Sequence, residues 1–281
     1  HDRGPHPRRE AAGRGLPGRD AVLVLGTEGA EGGDRLRLLT IDIETRPNMA
    51  YVWGLWNQNV AINQIAASTE MVCWAAKWTD HTKIHYRSTF HDGKEKMLKD
   101  LWKLLDQADA VIHYNGRKFD VPHINREFLQ ADMEPPSPCA QIDLLAAVKK
   151  RFRFPSNKLE YVCGELGIGH KLKHEGFDLW QRCMDGEPSA WKLMRQYNIN
   201  DVALTEMLYM KLLPWIPGIP SYSAHHGDDH ICPACGSKNL KKRGFAYTPQ
   251  SRFQRFVCKD CGKWSRGTHS YKTVAIREVA G

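Results

Sequence analysis

The stretch Leu38-Leu39-Thr40-Ile41-Asp42-Ile43-Glu44-Thr45 constrains this chain more than any other. Its apolar density is that of a buried β-strand, and a strand repeats its side-chain direction every second residue, so Asp42 and Glu44 emerge on one face. Two neighbouring acids on a core strand repel. A hard divalent cation that prefers carboxylate oxygen would relieve the repulsion. So would a strand end at which both acids are solvated, beside a turn at Arg46-Pro47-Asn48.

The pattern around this stretch is that of an α/β protein. Short β-like runs fall near 51–56, 71–78 and 83–90, with Thr79 to Thr82 as a hairpin loop. Met97, Leu98, Leu101, Leu104, Leu105 and Ala108 then recur at helical spacing, and the buried strand Ala110 to Tyr114 follows. Strand, helix, strand in that order predicts a parallel sheet with a crossover, covered by helices. Further helices are expected over 121–131, 141–150, 157–166 and 188–213. Pro214, Pro217, Gly218 and Pro220 stop any helix there. The expected organisation is therefore a weakly ordered arm over 1–34, a main domain over 35–213, a linker over 214–228 and a small module over 229–281.

Composition narrows the class. No apolar run approaches the roughly 18 residues of a membrane span, and no secretory signal opens the chain, so a soluble, cytoplasmic protein without membrane contact is expected. Of the eight cysteines, Cys73, Cys139, Cys163 and Cys183 are scattered, as small buried residues are, while four form two close pairs. The net charge of +8 lies mostly at the C-terminal end, where residues 221–281 hold 11 Lys and Arg against four acids. A polyanion footprint is expected there.

Three further positions carry chemistry. Asp120 lies at a helix start, where it would cap, but also just beyond a parallel strand, where open α/β sheets place ligands. Asn115 and Gly116 at that strand end suit a close backbone approach. Tyr197 and Asp201 are four apart on a long helix and share a face. Asp143 reads as a helix N-cap or a supporting group. Trp53, Trp56 and Phe119 suit either core packing or stacking on an unpaired base.

Taken together, Asp-x-Glu at Asp42 and Glu44, Asn-x-x-x-Phe-Asp at Asn115 to Asp120, and Tyr-x-x-x-Asp at Tyr197 to Asp201 resemble the three ordered exonuclease motifs of the DnaQ-like DEDD family, within the RNase H-like fold. The tyrosine points to the DEDDy branch, that of family B DNA polymerase proofreading domains. The resemblance covers about residues 36–213, with no polymerase segment, as in the exonucleases phage genomes encode, which would work in the host cytoplasm. It implies a mixed sheet flanked by helices and a 3′–5′ exonuclease acting on DNA rather than RNA. It further implies that Asp42, Glu44, Asp120 and Asp201 hold two Mg²⁺ or Mn²⁺ ions while Tyr197 orients water. Asn115 and Phe119 are candidate substrate contacts. An exoribonuclease or structure-selective endonuclease on the same fold, and a non-catalytic nucleic-acid-binding protein, are the alternatives.

Cys232-Pro233-Ala234-Cys235-Gly236 and Cys258-Lys259-Asp260-Cys261-Gly262 form two Cys-x-x-Cys-Gly knuckles whose four thiolates match one structural Zn²⁺. The module resembles a zinc ribbon. Phe245, Tyr247, Phe253, Phe256 and Trp264 interleave with its cations, which suits nucleic acid, and ribbons also dock protein partners.

Overall fold

The computed structural model describes residues 36–79, 81–228 and 230–276. The arm expected over 1–34 and Asp80 of the hairpin loop lie outside the described residues. In chain order the elements are β1 (Leu38–Thr45), β2 (Met49–Ala50), β3 (Ile65–Ala67), β4 (Met71–Trp78), β5 (Ile84–Ser88), α1 (Thr89–Asp92), α2 (Lys94–Asp106) and β6 (Ala110–His113). There follow α3 (Asp120–Gln130), β7 (Ala140–Asp143), α4 (Leu144–Arg151), α5 (Leu159–Glu165), α6 (Phe177–Met184), α7 (Pro188–Leu212) and α8 (Tyr222–His226). The C-terminal strands are β8 (Leu240–Tyr247), β9 (Ser251–Cys258), β10 (Trp264–Arg266) and β11 (Lys272–Thr273).

β1 is the middle strand of a five-stranded mixed sheet ordered β5-β4-β1-β6-β7. It pairs antiparallel with β4 and parallel with β6, and β6 pairs parallel with β7 through the α3 crossover. The period of two then sorts its side chains. Leu39, Ile41 and Ile43 pack with Met97, Leu98 and Leu101 of α2 and Ile124 and Phe128 of α3 on one side. Asp42 and Glu44 consequently face the other side, where α7 crosses the sheet. β4 is apolar almost throughout because both its faces are covered, Trp74 and Ala76 meeting α2 while Val72 and Ala75 meet α6 and α7.

Two expected elements differ. Residues 51–56 form no strand; β2 and β3 pair across a largely exposed excursion in which Trp53 is 99% exposed. The period-two reading there failed because no neighbouring sheet edge supplies partners. The helix expected over 141–150 begins only at Leu144, since residues 140–143 pair with β6 as β7, and tertiary pairing overrides helical propensity. Asp143 caps that helix, accepting from the Ala146 N–H at 3.1 Å.

The C-terminal sheet has β9 at its centre, paired antiparallel with β8, β10 and β11. It rests on the end of α7: Cys232, Ala234 and Cys258 share one apolar cluster with Tyr209, Leu212, Leu213 and Ile216. Lys263 Nζ donates to the carbonyls of Leu213 and Ile216, and the Tyr222 N–H donates to Pro233 O at 2.9 Å. The stretch over 214–228 expected as a linker carries α8 and these contacts.

Candidate functional site

Asp42, Glu44 and Asp201 each offer a carboxylate oxygen, and the three atoms lie within 4.8 Å of one another. β1 supplies the first two. α7 supplies the third, one turn beyond Tyr197, which is itself buried. Asp120, at the start of α3, lies outside that group but close enough to raise Asp42 and Glu44; it is 3% exposed, and its Oδ1 accepts from the Ile43 N–H at 3.2 Å. Its side chain therefore does not cap α3, which begins with no side-chain cap. The strand-end position, not the helix start, decides where this carboxylate goes.

Such a group of acids is costly without a counter-charge. Burial raises Asp42 well above the carboxylate range, and Glu44, Asp120 and Asp201 raise it further. Burial, with Asp201 and Asp120, pushes Glu44 to about 8. Burial pushes Asp120 to about 7 against the opposing Ile43 hydrogen bond.

One cation is already present. Lys171 Nζ bonds Asp201 Oδ2 and lies 3.1 Å from the Tyr197 hydroxyl. Burial alone would lower its pKa, but Asp201 and Tyr197 hold it above the ordinary lysine value. Asp201 Oδ1 remains buried without a hydrogen-bond partner. A donor set of oxygen alone, with an orphaned carboxylate oxygen beside it, fits a hard divalent cation such as Mg²⁺ or Mn²⁺.

Sequence reasoning missed two residues here. Asn198 is fully buried, and its Nδ2 donates to Asp42 Oδ2 at 2.6 Å and to Asp42 O at 3.2 Å. Its only signal was an amide beside Tyr197 on a helix whose neighbours are apolar. Lys171 lies on the loop between α5 and α6, bounded by Gly167 and Gly176 at positive φ, and carried no motif. His174 of the same loop and Trp180 of α6 meet the Tyr197 ring edge-on, at 4.8 and 6.0 Å between centroids.

The remaining positions sit around the β6–α3 turn. Asn115 has φ 72°, and its N–H donates to Asp143 Oδ1 at 3.2 Å. Gly116 makes a close approach to the buried His113: a Cβ there would fall 2.3 Å from the ring. Phe119 is partly exposed, edge-on to His123. Trp56, like Trp53, is exposed, so neither packs in the core.

At the other end of the chain, Cys232, Cys235, Cys258 and Cys261 bring four sulfurs within 4.8 Å. All are free thiols, with Cys232 to Cys261 and Cys235 to Cys258 each at 3.7 Å. Hydrogen bonds among these sulfurs lower the Cys232 thiol and raise Cys235 and Cys261, so the four share protons that a metal would displace. An all-sulfur set of four fits Zn²⁺, as in a zinc ribbon.

The fold and this site define an α/β protein with a central mixed sheet and a carboxylate cluster suited to divalent cations. The chain belongs to the RNase H superfamily, whose family model matches residues 39–213. No curated protein sequence matched. The chain is similar in structure to the family B DNA polymerase from the hyperthermophilic archaeon Pyrobaculum calidifontis, at 15% identity and a TM-score of 0.49, covering 79% of this chain and 32% of that one. It thus spans about a third of that polymerase's length. RNase H superfamily membership together with the acid cluster supports a nuclease, and with it a nucleic-acid substrate. No helix among the described residues is long and apolar enough to cross a membrane.

Proposed function

We propose that this protein is a 3′–5′ exonuclease of the DEDDy type, hydrolysing phosphodiester bonds of DNA, with the C-terminal zinc ribbon aiding nucleic-acid binding. The observation that carries the reading is the convergence of Asp42, Glu44 and Asp201 within 4.8 Å on an RNase H-like sheet, with Tyr197 one turn from Asp201. Asp42, Glu44, Asp120 and Asp201 would hold two divalent ions, which supply charge for activating water and for stabilising the departing 3′-oxygen.

The chain's own residues do the rest. Burial, then Asp201 and Glu44, raises the Tyr197 phenol well above its usual range, so it keeps its proton at neutral pH and orients water rather than removing a proton. Lys171 fixes the phenol by its hydrogen bond, and the His174 and Trp180 rings hold it in place. Asn198 holds the Asp42 carboxylate in one orientation. Asn115, Phe119, Trp53 and Trp56 are proposed substrate contacts; the exposed indoles suit stacking on unpaired terminal bases.

The test uses single-stranded DNA, duplex DNA and RNA, each labelled at either end, with Mg²⁺ or Mn²⁺. Stepwise release of mononucleotides from the 3′ end of DNA is expected, abolished by Asp42→Ala and by Asp201→Ala with the fold retained. Undiminished activity in both variants sinks the reading. Internal cuts would replace exonuclease by endonuclease, and preference for RNA would make the protein an exoribonuclease.

A further inference from the structure

The ribbon sheet sets its cations against one another. Arg255 of β9 stands directly opposite Arg266 of β10, and Trp264 stands opposite Val257, so these residues share a face with Phe253. Lys241 of β8 faces Val257 from the other flank. Arg243, in the irregular stretch of β8, reaches the same face: its guanidinium carbon lies 5.4 Å from the Trp264 ring centroid, with that of Arg255 at 5.1 Å. The Arg266 guanidinium lies 4.2 Å over Phe253. Like charges opposite one another in a sheet destabilise it, and no acid among the described residues pairs with Arg243, Arg255 or Arg266. Asp260, the described acid of the second knuckle, is taken by Ser237 at 2.5 Å and Asn239 at 2.9 Å.

A guanidinium held over an aromatic ring is restricted in orientation: Arg255 spends its Nε on the Arg243 carbonyl at 3.3 Å, and its terminal N–H groups, like the guanidinium N–H groups of Arg243 and Arg266, have no acid partner among the described residues and suit phosphate contact. Lys241, Arg243, Arg255, Trp264 and Arg266 are all exposed. We propose that this face of the β8–β9–β10 sheet binds the phosphodiester backbone of a nucleic acid without regard to sequence, with Arg243, Arg255 and Arg266 as its phosphate contacts. The assignment rests on the nucleic-acid reading of the preceding subsection and adds the site, the contacting atoms and the mode of recognition. No base-edge specificity is expected of it, because contacts to phosphate position a nucleic acid without reading its sequence.

The test measures binding by the zinc-loaded full chain carrying Asp42→Asn, without added Mg²⁺. The probes are fluorescein-labelled oligonucleotides as single-stranded DNA, duplex DNA and RNA, at salt from about 50 to about 200 mM. Combining Arg243→Ala, Arg255→Ala and Arg266→Ala is expected to weaken duplex binding at least about tenfold at low salt and to make the log–log salt slope shallower by about 2 to 3, roughly one per lost phosphate contact. The same three positions changed to Lys should retain most of the slope. An unchanged slope in the alanine combination, with zinc content and circular dichroism intact, overturns the proposal. If the combination loses zinc, the single variants decide, each expected to lower the slope by about one. Binding that needs these arginines, by a wild-type chain that cuts no substrate, leaves this site standing while the nuclease reading falls. Cleavage with an unchanged slope does the reverse. Arginine-dependent binding of a polyglutamate peptide with none of the nucleic acids would assign the face to an acidic protein partner instead and overturn the proposal.

Discussion

Asn198 Nδ2 reaches both Oδ2 and the main-chain carbonyl of Asp42, so one amide fixes a carboxylate and the strand that carries it. Outer partners of this kind set ligand orientation, and losing one costs about 10–100-fold in metal affinity or activity. Asn198→Ala is therefore expected to lower Mn²⁺ affinity, measured by calorimetry, by about that factor while the chain remains folded. The acids themselves couple stability to pH. Glu44, raised from 4.5 to about 8, and Asp120, raised from 3.8 to about 7, hold protons in the folded chain that the unfolded chain has already released. Where the folded state binds more protons, stability falls as pH rises. The metal-free chain should thus lose stability between about pH 4 and about pH 8 from these groups, and Glu44→Gln should flatten the decline. Mn²⁺ at about 100 times its Kd should restore about 2.7 kcal/mol, more readily at the alkaline end, where the carboxylates are ionised. Thermal unfolding across pH, with and without Mn²⁺, checks both; an identical slope for wild type and Glu44→Gln would falsify the assignment. Gly116 makes a purely steric prediction. Its missing Cβ leaves room for the buried His113 ring, and Gly116→Ala should cost about 1–3 kcal/mol in chemical denaturation.

At the scale of elements, the legible parts of the sequence were those in which local pattern and tertiary setting agree. β1 and β4 could be read because an apolar run is what a strand covered on both faces requires, and α2 because Met97, Leu98 and Leu101 recur on one side. β7 was hidden because four residues contiguous with a helix have no period of their own; only the β6 edge makes them a strand. Lys171 was hidden for a related reason. A loop between two glycine turns has no periodicity, and the lysine acquires meaning only when the fold lays it against Asp201 and Tyr197. Asp42 and Glu44 were legible as a pair facing one way, but which way depended on α7 crossing the face opposite α2 and α3. The C-terminal module is the element whose fold would depend most on an ion held by its four cysteines. Four sulfurs close the knuckles at Cys232 and Cys258, and structural zinc contributes about 10–16 kcal/mol of apparent folding free energy in small zinc modules. A zinc-selective chelator is expected to abolish the β8–β11 sheet, seen as a loss of strand signal in circular dichroism. Retention of the ribbon's signal after zinc has left would count against a structural metal.

For the whole molecule the question is whether the two parts are separable. Proline and glycine spacing around residues 214–220 reads as a boundary, and the charge distribution agrees, since the basic surplus lies beyond it. Packing argues for coupling. Tyr209, Leu212, Leu213 and Ile216 bury their side chains in one cluster with Cys232, Ala234 and Cys258, and Lys263 donates to the carbonyl of Leu213, the C-cap of α7, and to that of Ile216 just beyond. The Leu213 carbonyl lacks a helical partner at the helix C-terminus, so a cation there satisfies a group that would otherwise need water. Removing the ribbon by truncation after residue 228 would strip this cover and expose a contiguous apolar patch at the end of α7, the element that also carries Tyr197 and Asp201. The truncated chain is expected to lose about 2–5 kcal/mol, the range for deleting a large buried apolar side chain, and to self-associate more readily. Calorimetry distinguishes the alternatives. The zinc-loaded full chain should unfold with the two parts coupled, and the truncated chain should melt at a lower temperature with reduced Mn²⁺ stabilisation, because fraying at the end of α7 loosens the helix that holds Asp201. A truncated chain with an unchanged melting temperature would mean that the ribbon rides on the main domain without supporting it.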